Sequence, residues 1–200
     1  MGKYYLFERN TPGRWIDDDE GDEDNDPEVD WYYWRKGAFI PDTETIPNPI
    51  KFSLEPFNPH SADDSHHMPS YLRAAAPLFS EALIQALTDC GVDNLETYPV
   101  AIHDPDSGEV YTNYKAVNVI GLVAAADMEK SNATVHPNGP PIIDVDFDGL
   151  VIDEKKAYDL LFFRLAESNN AIIVHERVRD CLQKKGFTDL AFYETEKVAL

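Results

Sequence analysis

Basic residues are scarce in this chain. Lys and Arg number 17 against 37 Asp and Glu, giving a formal net charge of −20 over 200 residues. Phosphate contact normally needs a basic face, so the balance argues against direct nucleic-acid binding and against adsorption to anionic membranes. Long apolar runs are missing too, and none approaches the roughly 20 residues that cross a bilayer. Only two cysteines occur, and Cys90 and Cys181 fit no metal-ligand spacing. Each falls on an apolar helical stripe, so buried reduced thiols are expected. The chain has no G-x-S-x-G nucleophile elbow, no phosphate-cradling P-loop and no dinucleotide fingerprint. Met1-Gly2-Lys3-Tyr4 runs straight into a strand-like segment rather than a leader, and the expected address is cytoplasmic.

What is present begins with a pattern that occurs twice. Residues 78–98 read LFSEALIQALTDCGVDNLETY, and residues 172–193 read IIVHERVRDCLQKKGFTDLAFY. At one constant offset, without gaps, Glu81 meets Glu176, Leu87 meets Leu182, Gly91 meets Gly186 and Tyr98 meets Tyr193. Leu83, Ala86, Leu87 and Cys90 recur at helical spacing, as do Val178, Cys181 and Leu182. Each glycine sits where a helix stops, and each is followed by a short polar turn and a strand-like run ending in tyrosine. Each copy therefore reads as helix, tight stop and strand. Glu81 and Glu176 are helix-start carboxylates suited to the N-terminal end of the helix dipole.

Residues 3–8 (KYYLFE) read as an opening strand, closed by the turn Asn10-Thr11-Pro12-Gly13. Residues 17–30, DDDEGDEDNDPEVD, form a nearly continuous acidic block in which only Val29 is apolar. Mutual repulsion makes it a solvated loop in the free protein. Two readings stay open: a solubilising surface loop, or a partner-docking or cation-binding loop. The sharper reading names Asp17, Asp18, Asp19, Glu20, Asp22, Glu23 and Asp24, with Trp31 and Trp34 beside them. An EF-hand does not fit, because its glycine and terminal-glutamate register is absent. Residues 31–36 (WYYWRK) are expected to form a strand with alternate rings in the core; exposed rings next to charge would instead resemble an interface hot spot.

Prolines at 41, 47, 49, 56 and 59 rule out a long helix there, so the segment is expected to be extended and irregular. His60, His66 and His67 invite a metal reading that no cysteine or zincin-type helix supports. Residues 104–108 (DPDSG) make a hairpin turn, and Val117 and Val119 favour a central antiparallel strand. Asp144, Asp146 and Asp148 alternate with apolar residues along a strand, where a solvated edge is the plainer reading and a cation site the sharper one. Residues 160–166 and 171–174 read as strands around a turn.

Several of these stretches together resemble a known family. They are residues 80–100, residues 114–121 (YKAVNVIG) and residues 161–190, which include FFRLAESNNAIIVHERV. The set is similar to a family of immunity proteins from bacterial polymorphic-toxin and secreted-effector systems, over roughly residues 77–192. His175 stands where the family pattern has serine, matching Ser80 of the first copy, which is expected to cost a helix N-cap. The resemblance implies a non-enzymatic protein that binds and neutralises a cognate toxin, with no catalytic residue to carry over and no cofactor. Acidity adds the expectation that the toxin presents a basic active surface, with the acidic block mimicking an anionic substrate. The alternatives are a metal-dependent or carboxylate-based enzyme, or a structural interaction module. Oligomeric state is left open.

The expected fold is α+β: a mostly antiparallel sheet packed by two equivalent helices, with an irregular N-terminal arm. Residues 1–76 hold the first strand, the acidic loop and the proline-rich segment, and residues 77–200 the α+β core.

Overall fold

The computed structural model describes residues 3–17, 29–136 and 145–200. In chain order the elements are β1 (Tyr4–Arg9), α1 (Tyr32–Arg35), β2 (Ile50–Ser53), β3 (Tyr71–Leu72), β4 (Leu78–Ser80), α2 (Glu81–Asp89) and β5 (Leu95–His103). There follow β6 (Val110–Tyr111), β7 (Tyr114–Val119), β8 (Leu122–Val123), β9 (Ala133–Val135), β10 (Val145–Phe147) and α3 (Glu154–Ala157). Strands β11 (Phe162–Leu165) and β12 (Ile172–His175), helix α4 (Glu176–Lys184) and strand β13 (Leu190–Glu194) complete the order, before a 3₁₀ turn at Thr195–Lys197.

The architecture is α+β, mostly sheet, and the sheets are mixed. One sheet runs β13-β1-β12-β11-β8 and the other β2-β5-β7-β4-β3, with β6 beside β5 and β9 pairing β10 separately. Only β2 with β5 and β8 with β11 pair in parallel; the other ladders between these strands are antiparallel. In the first copy, β4 leads through α2 to β5, and β7 lies antiparallel between the two strands. In the second, β12 leads through α4 to β13, and β1 lies between them. The strand filling the second gap thus comes from the opposite end of the chain. Gly91 and Gly186 follow the helices with φ of 95° and 88°, the conformation that lets the chain leave each helix sharply.

Both helices lean on one core. Leu83, Ala86 and Leu87 from α2 and Val178 and Leu182 from α4 pack with Phe7, Phe79, Val117, Phe162, Ile172 and Val174 from both sheets. Phe7 sits centrally among the rings, within 5.8 Å of Tyr71, Phe79, Phe162 and Phe192 by centroid. A second core gathers Ile16, Val29, Trp34, Ile50, Leu54, Leu78 and Val100, and a third lies on the far face of the β1 sheet around Leu6, Phe147, Phe163 and Ile173.

Three expectations need correction. Cys90 and Cys181 are not free thiols but a disulfide, because α2 and α4 pack together and bring their Cα atoms to 5.9 Å. The reading from each helix's own stripe had no means of seeing that the two stripes face each other. Residues 31–36 are not a strand: Asp30 accepts a hydrogen bond from the Tyr32 N–H at 2.9 Å, which starts the single helical turn α1. His175 does not forfeit its cap: its Nδ1 accepts from the Arg177 N–H at 3.1 Å, as Ser80 Oγ accepts from the Leu83 N–H at 3.2 Å.

Candidate partner-binding surface

The acidic block is tied at both described ends to the second core. On its N-terminal side Ile16 is buried and bridges Leu54, while the Asp17 N–H donates to Ser53 O at 2.9 Å. On its C-terminal side Val29 is buried in the same core. Asp17 is half-buried at the boundary. Asp18, Asp19, Glu20, Asp22, Glu23 and Asp24 lie outside the described residues.

The two tryptophans differ in what they can do. Trp34 is 0% exposed, 5.0 Å from the Tyr98 ring and 5.2 Å from Trp31. Its contacts are internal, so it fixes the chain after the acidic block rather than meeting solvent. Trp31 is half-buried and packs on the same core. Because two residues of a helix turn through roughly half a circle, burial of Trp34 turns Tyr32 outward, where it stacks edge-on with Tyr33. Gly37 closes the turn at φ 54° and packs against the β7–β8 corner, with the Gly121 N–H donating to Gly37 O at 2.8 Å.

Beside α1 the surface is apolar and acidic together. Phe39 is 69% exposed, and a cleft of about 360 Å³ is lined by Ile40, Asp42, Glu44, Ile46, Tyr98 and Pro99 among others. Burial, and then the neighbouring Glu96 carboxylate, push the Tyr98 hydroxyl up to about 12, so it stays a neutral donor to Glu96 Oε2 at 3.2 Å. Such a face offers ring edges, carboxylates and a shallow recess.

The metal candidates do not converge. His66 stacks on Phe57 at 4.0 Å, and His67 Nε2 lies 3.8 Å from Asp189. Asp146 accepts from, or is paired with, His136 at 2.8 Å, Asp148 takes the Asn132 amide at 3.3 Å, and Asp144 lies outside the described residues. Among the described residues no three His, Cys, Asp or Glu side chains gather in a way that could hold a metal ion. Among them, too, no helix is long and apolar enough to cross a membrane.

The model of an immunity protein family, Imm11, matches residues 10–197, and the chain belongs to that family. The match covers most of the chain, including the N-terminal segments in which no family motif was legible, and is wider than the C-terminal three-fifths. No curated protein matches the chain significantly.

Proposed function

We propose that this protein binds a cognate bacterial toxin and neutralises it by occupation rather than by chemistry. The family match over residues 10–197 carries the reading. The net charge of −20 supports a toxin whose active surface is basic, since opposite potentials speed encounter and favour this partner over neutral ones. The contact surface in this reading is the acidic block at residues 17–30, with Asp17 at its entry and Trp31 at its exit, continued by Tyr32, Phe39 and the cleft at Ile40 and Ile46. Trp34 holds the exit in place from inside. The address is cytoplasmic in this reading, and residues 1–76 serve as the arm that carries the contact while residues 77–200 supply the scaffold.

Co-expression with the toxin encoded by the adjacent gene tests the proposal. Protection of the host, together with a stoichiometric complex that weakens as salt rises, is the expected result. A purified protein that neither binds nor protects against that toxin overturns it.

A further inference from the structure

Three arginines far apart in the chain meet at one edge between the two large sheets. Arg9 ends β1, Arg73 follows β3, and Arg164 lies in β11. Arg9 and Arg164 are each only 5% exposed. Ion pairs to other arginines are present: Arg14 with Asp104 and Asp106, Arg73 with Glu8, and Arg179 with Asp180. Among the described residues neither Arg9 nor Arg164 has such a pair. A buried charge without a paired counter-charge is costly; the Glu8 and Asp64 carboxylates offset Arg9 at longer range, whereas among the described residues no carboxylate is seen to do so for Arg164.

The hydrogen bonding of both is also incomplete. Arg9 Nη1 donates to Arg14 O at 2.6 Å, and its guanidinium lies 4.1 Å from the Trp15 ring, but Nε and Nη2 have no partner among the described residues. Arg164 Nη1 donates to Asn169 O at 3.1 Å, while its Nε is buried and unpartnered. Arginine's five donors form a fixed fork matched to a carboxylate or phosphate, so an unmet edge is a directed demand for an oxyanion.

The edge is recessed beside these arginines. An inner cavity of about 60 Å³ is bordered by Tyr71, Arg73, Arg164 and Asn170. That is several times the roughly 10–15 Å³ that one water needs. An outer cleft of about 580 Å³ is bordered by Glu8, Arg9, Trp15, Arg73 and Asn170. Arg73 and Asn170 border both, so the two adjoin there. Burial raises the Tyr71 hydroxyl well above its ordinary value, leaving it a neutral donor beside the arginines. Arg73 is 56% exposed at its side chain and its ion pair with Glu8, at 3.7 Å, is beyond hydrogen-bond reach, so a ligand has only that loose contact to displace.

We propose that this recess is a binding site for one small oxyanion, a phosphate or carboxylate group, held by Arg164 and Arg73 with Arg9 supplying further positive field. The site is a local exception on a protein of charge −20. Glu8 is a carboxylate within the cleft, 3.7 Å from Arg73, and the three guanidinium groups outnumber it; at physiological salt a Debye length of about 8 Å screens the more distant carboxylates. Oxyanion binding at this recess is independent of toxin binding.

Isothermal titration of the full chain tests it, with inorganic phosphate in one arm and acetate in another, each in chloride buffer of matched ionic strength. Saturable one-to-one binding is expected in at least one arm. Phosphate alone identifies a free phosphate group as the ligand; acetate binding identifies a carboxylate, such as an acidic side chain of a protein partner. Arg164→Lys tests the inner donor, and Arg73→Gln, at an exposed position that the fold does not need, keeps the test readable if the first variant fails to fold. Arg73→Gln should weaken binding about tenfold or more while leaving the thermal midpoint of the free protein unchanged. Non-saturable heats in both arms, or unchanged affinity in Arg73→Gln, overturn the proposal.

Discussion

Cys90, the C-cap of α2, is bonded to Cys181 inside α4, so these two helices are joined covalently across 91 residues of chain. Beside the bond, Lys185 Nζ lies 2.7 Å from Asp89, a second link between the same two helix ends. Among the described residues, each strand that separates α2 from α4 in sequence, β5 to β12, lies within that closed loop. A crosslink over so long a loop acts mainly by restricting the unfolded chain. The Cys90→Ala/Cys181→Ala double variant should therefore lose up to about 4.6 kcal/mol in urea unfolding, the loop-closure figure for a loop of this length. Reductant should lower the midpoint of the natural protein to match, and should leave the variant unmoved. Disulfides persist in oxidising surroundings, so the alkylation state of these thiols in cells also tests the cytoplasmic address.

The two helix caps give a pH-dependent pair. Ser80 Oγ caps α2 and cannot titrate, whereas His175 Nδ1 caps α4 only while it is unprotonated. Burial lowers the His175 pKa from its ordinary 6.5, opposed in part by the Glu176 carboxylate. The folded state thus holds fewer protons than the unfolded state in the window just below pH 6.5. The stabilisation by the neutral cap is complete above about pH 6.5 and is lost as the pH falls through the folded value. Ser80→Ala should cost about 1 kcal/mol at every pH. His175→Ala should cost a similar amount at pH 8 and less at pH 5, read from urea midpoints across that range. A cost independent of pH would show that the imidazole caps nothing.

Much of the scaffold was legible because its signals are local. The stripes of α2 and α4, their acidic first turns, the glycines after them and the β-branched run at β7 are each set by neighbours within a few residues. What escaped depends on residues far apart. β2 lies within the proline-rich segment and becomes a strand only by pairing in parallel with β5, Ile50 opposite Val100. The disulfide needs the α2–α4 contact, and the arginine recess needs β1, β3 and β11 brought to one edge. Arg9, Arg73 and Arg164 share no spacing, so composition showed an acidic protein and concealed a basic pocket. Trp31 and Trp34, three residues apart, would lie on opposite faces of the expected strand, whereas one helical turn brings both to the same core, Trp34 buried and Trp31 half-buried.

Gly37 gives a test of how α1 is fastened. Its φ is 54°, and an added Cβ would lie 2.8 Å from Val119 O and 2.9 Å from Gly121 N, both backbone atoms of the β7–β8 corner. Neither neighbour can rotate away as a side chain would. Gly37→Ala combines a left-handed conformation with a backbone clash and should cost about 1–3 kcal/mol, measured by chemical denaturation. Gly108 also has a positive φ but nothing within 4 Å of an added Cβ, so Gly108→Ala should cost only about 1 kcal/mol. Equal losses at both positions would mean that the corner gives way and that α1 is not pinned there.

The acidic block and Trp34 separate contact from support. Trp34 is fully buried, and Trp34→Ala should destabilise the protein by about 3–5 kcal/mol with loss of toxin binding as a consequence of unfolding. Changing Asp18, Asp19, Glu20, Asp22, Glu23 and Asp24 together to their amides removes six like charges from a chain that already carries −20. Less self-repulsion should leave the thermal midpoint unchanged or slightly raised. If these carboxylates meet a basic toxin, the same variant should associate more slowly, and its association rate should depend less steeply on salt, because fewer charges remain to be screened. Stopped-flow association at several salt concentrations reads both quantities. A variant that stays folded and keeps the full salt dependence would move the electrostatic contact away from this segment, to the other carboxylates around the Ile40 cleft.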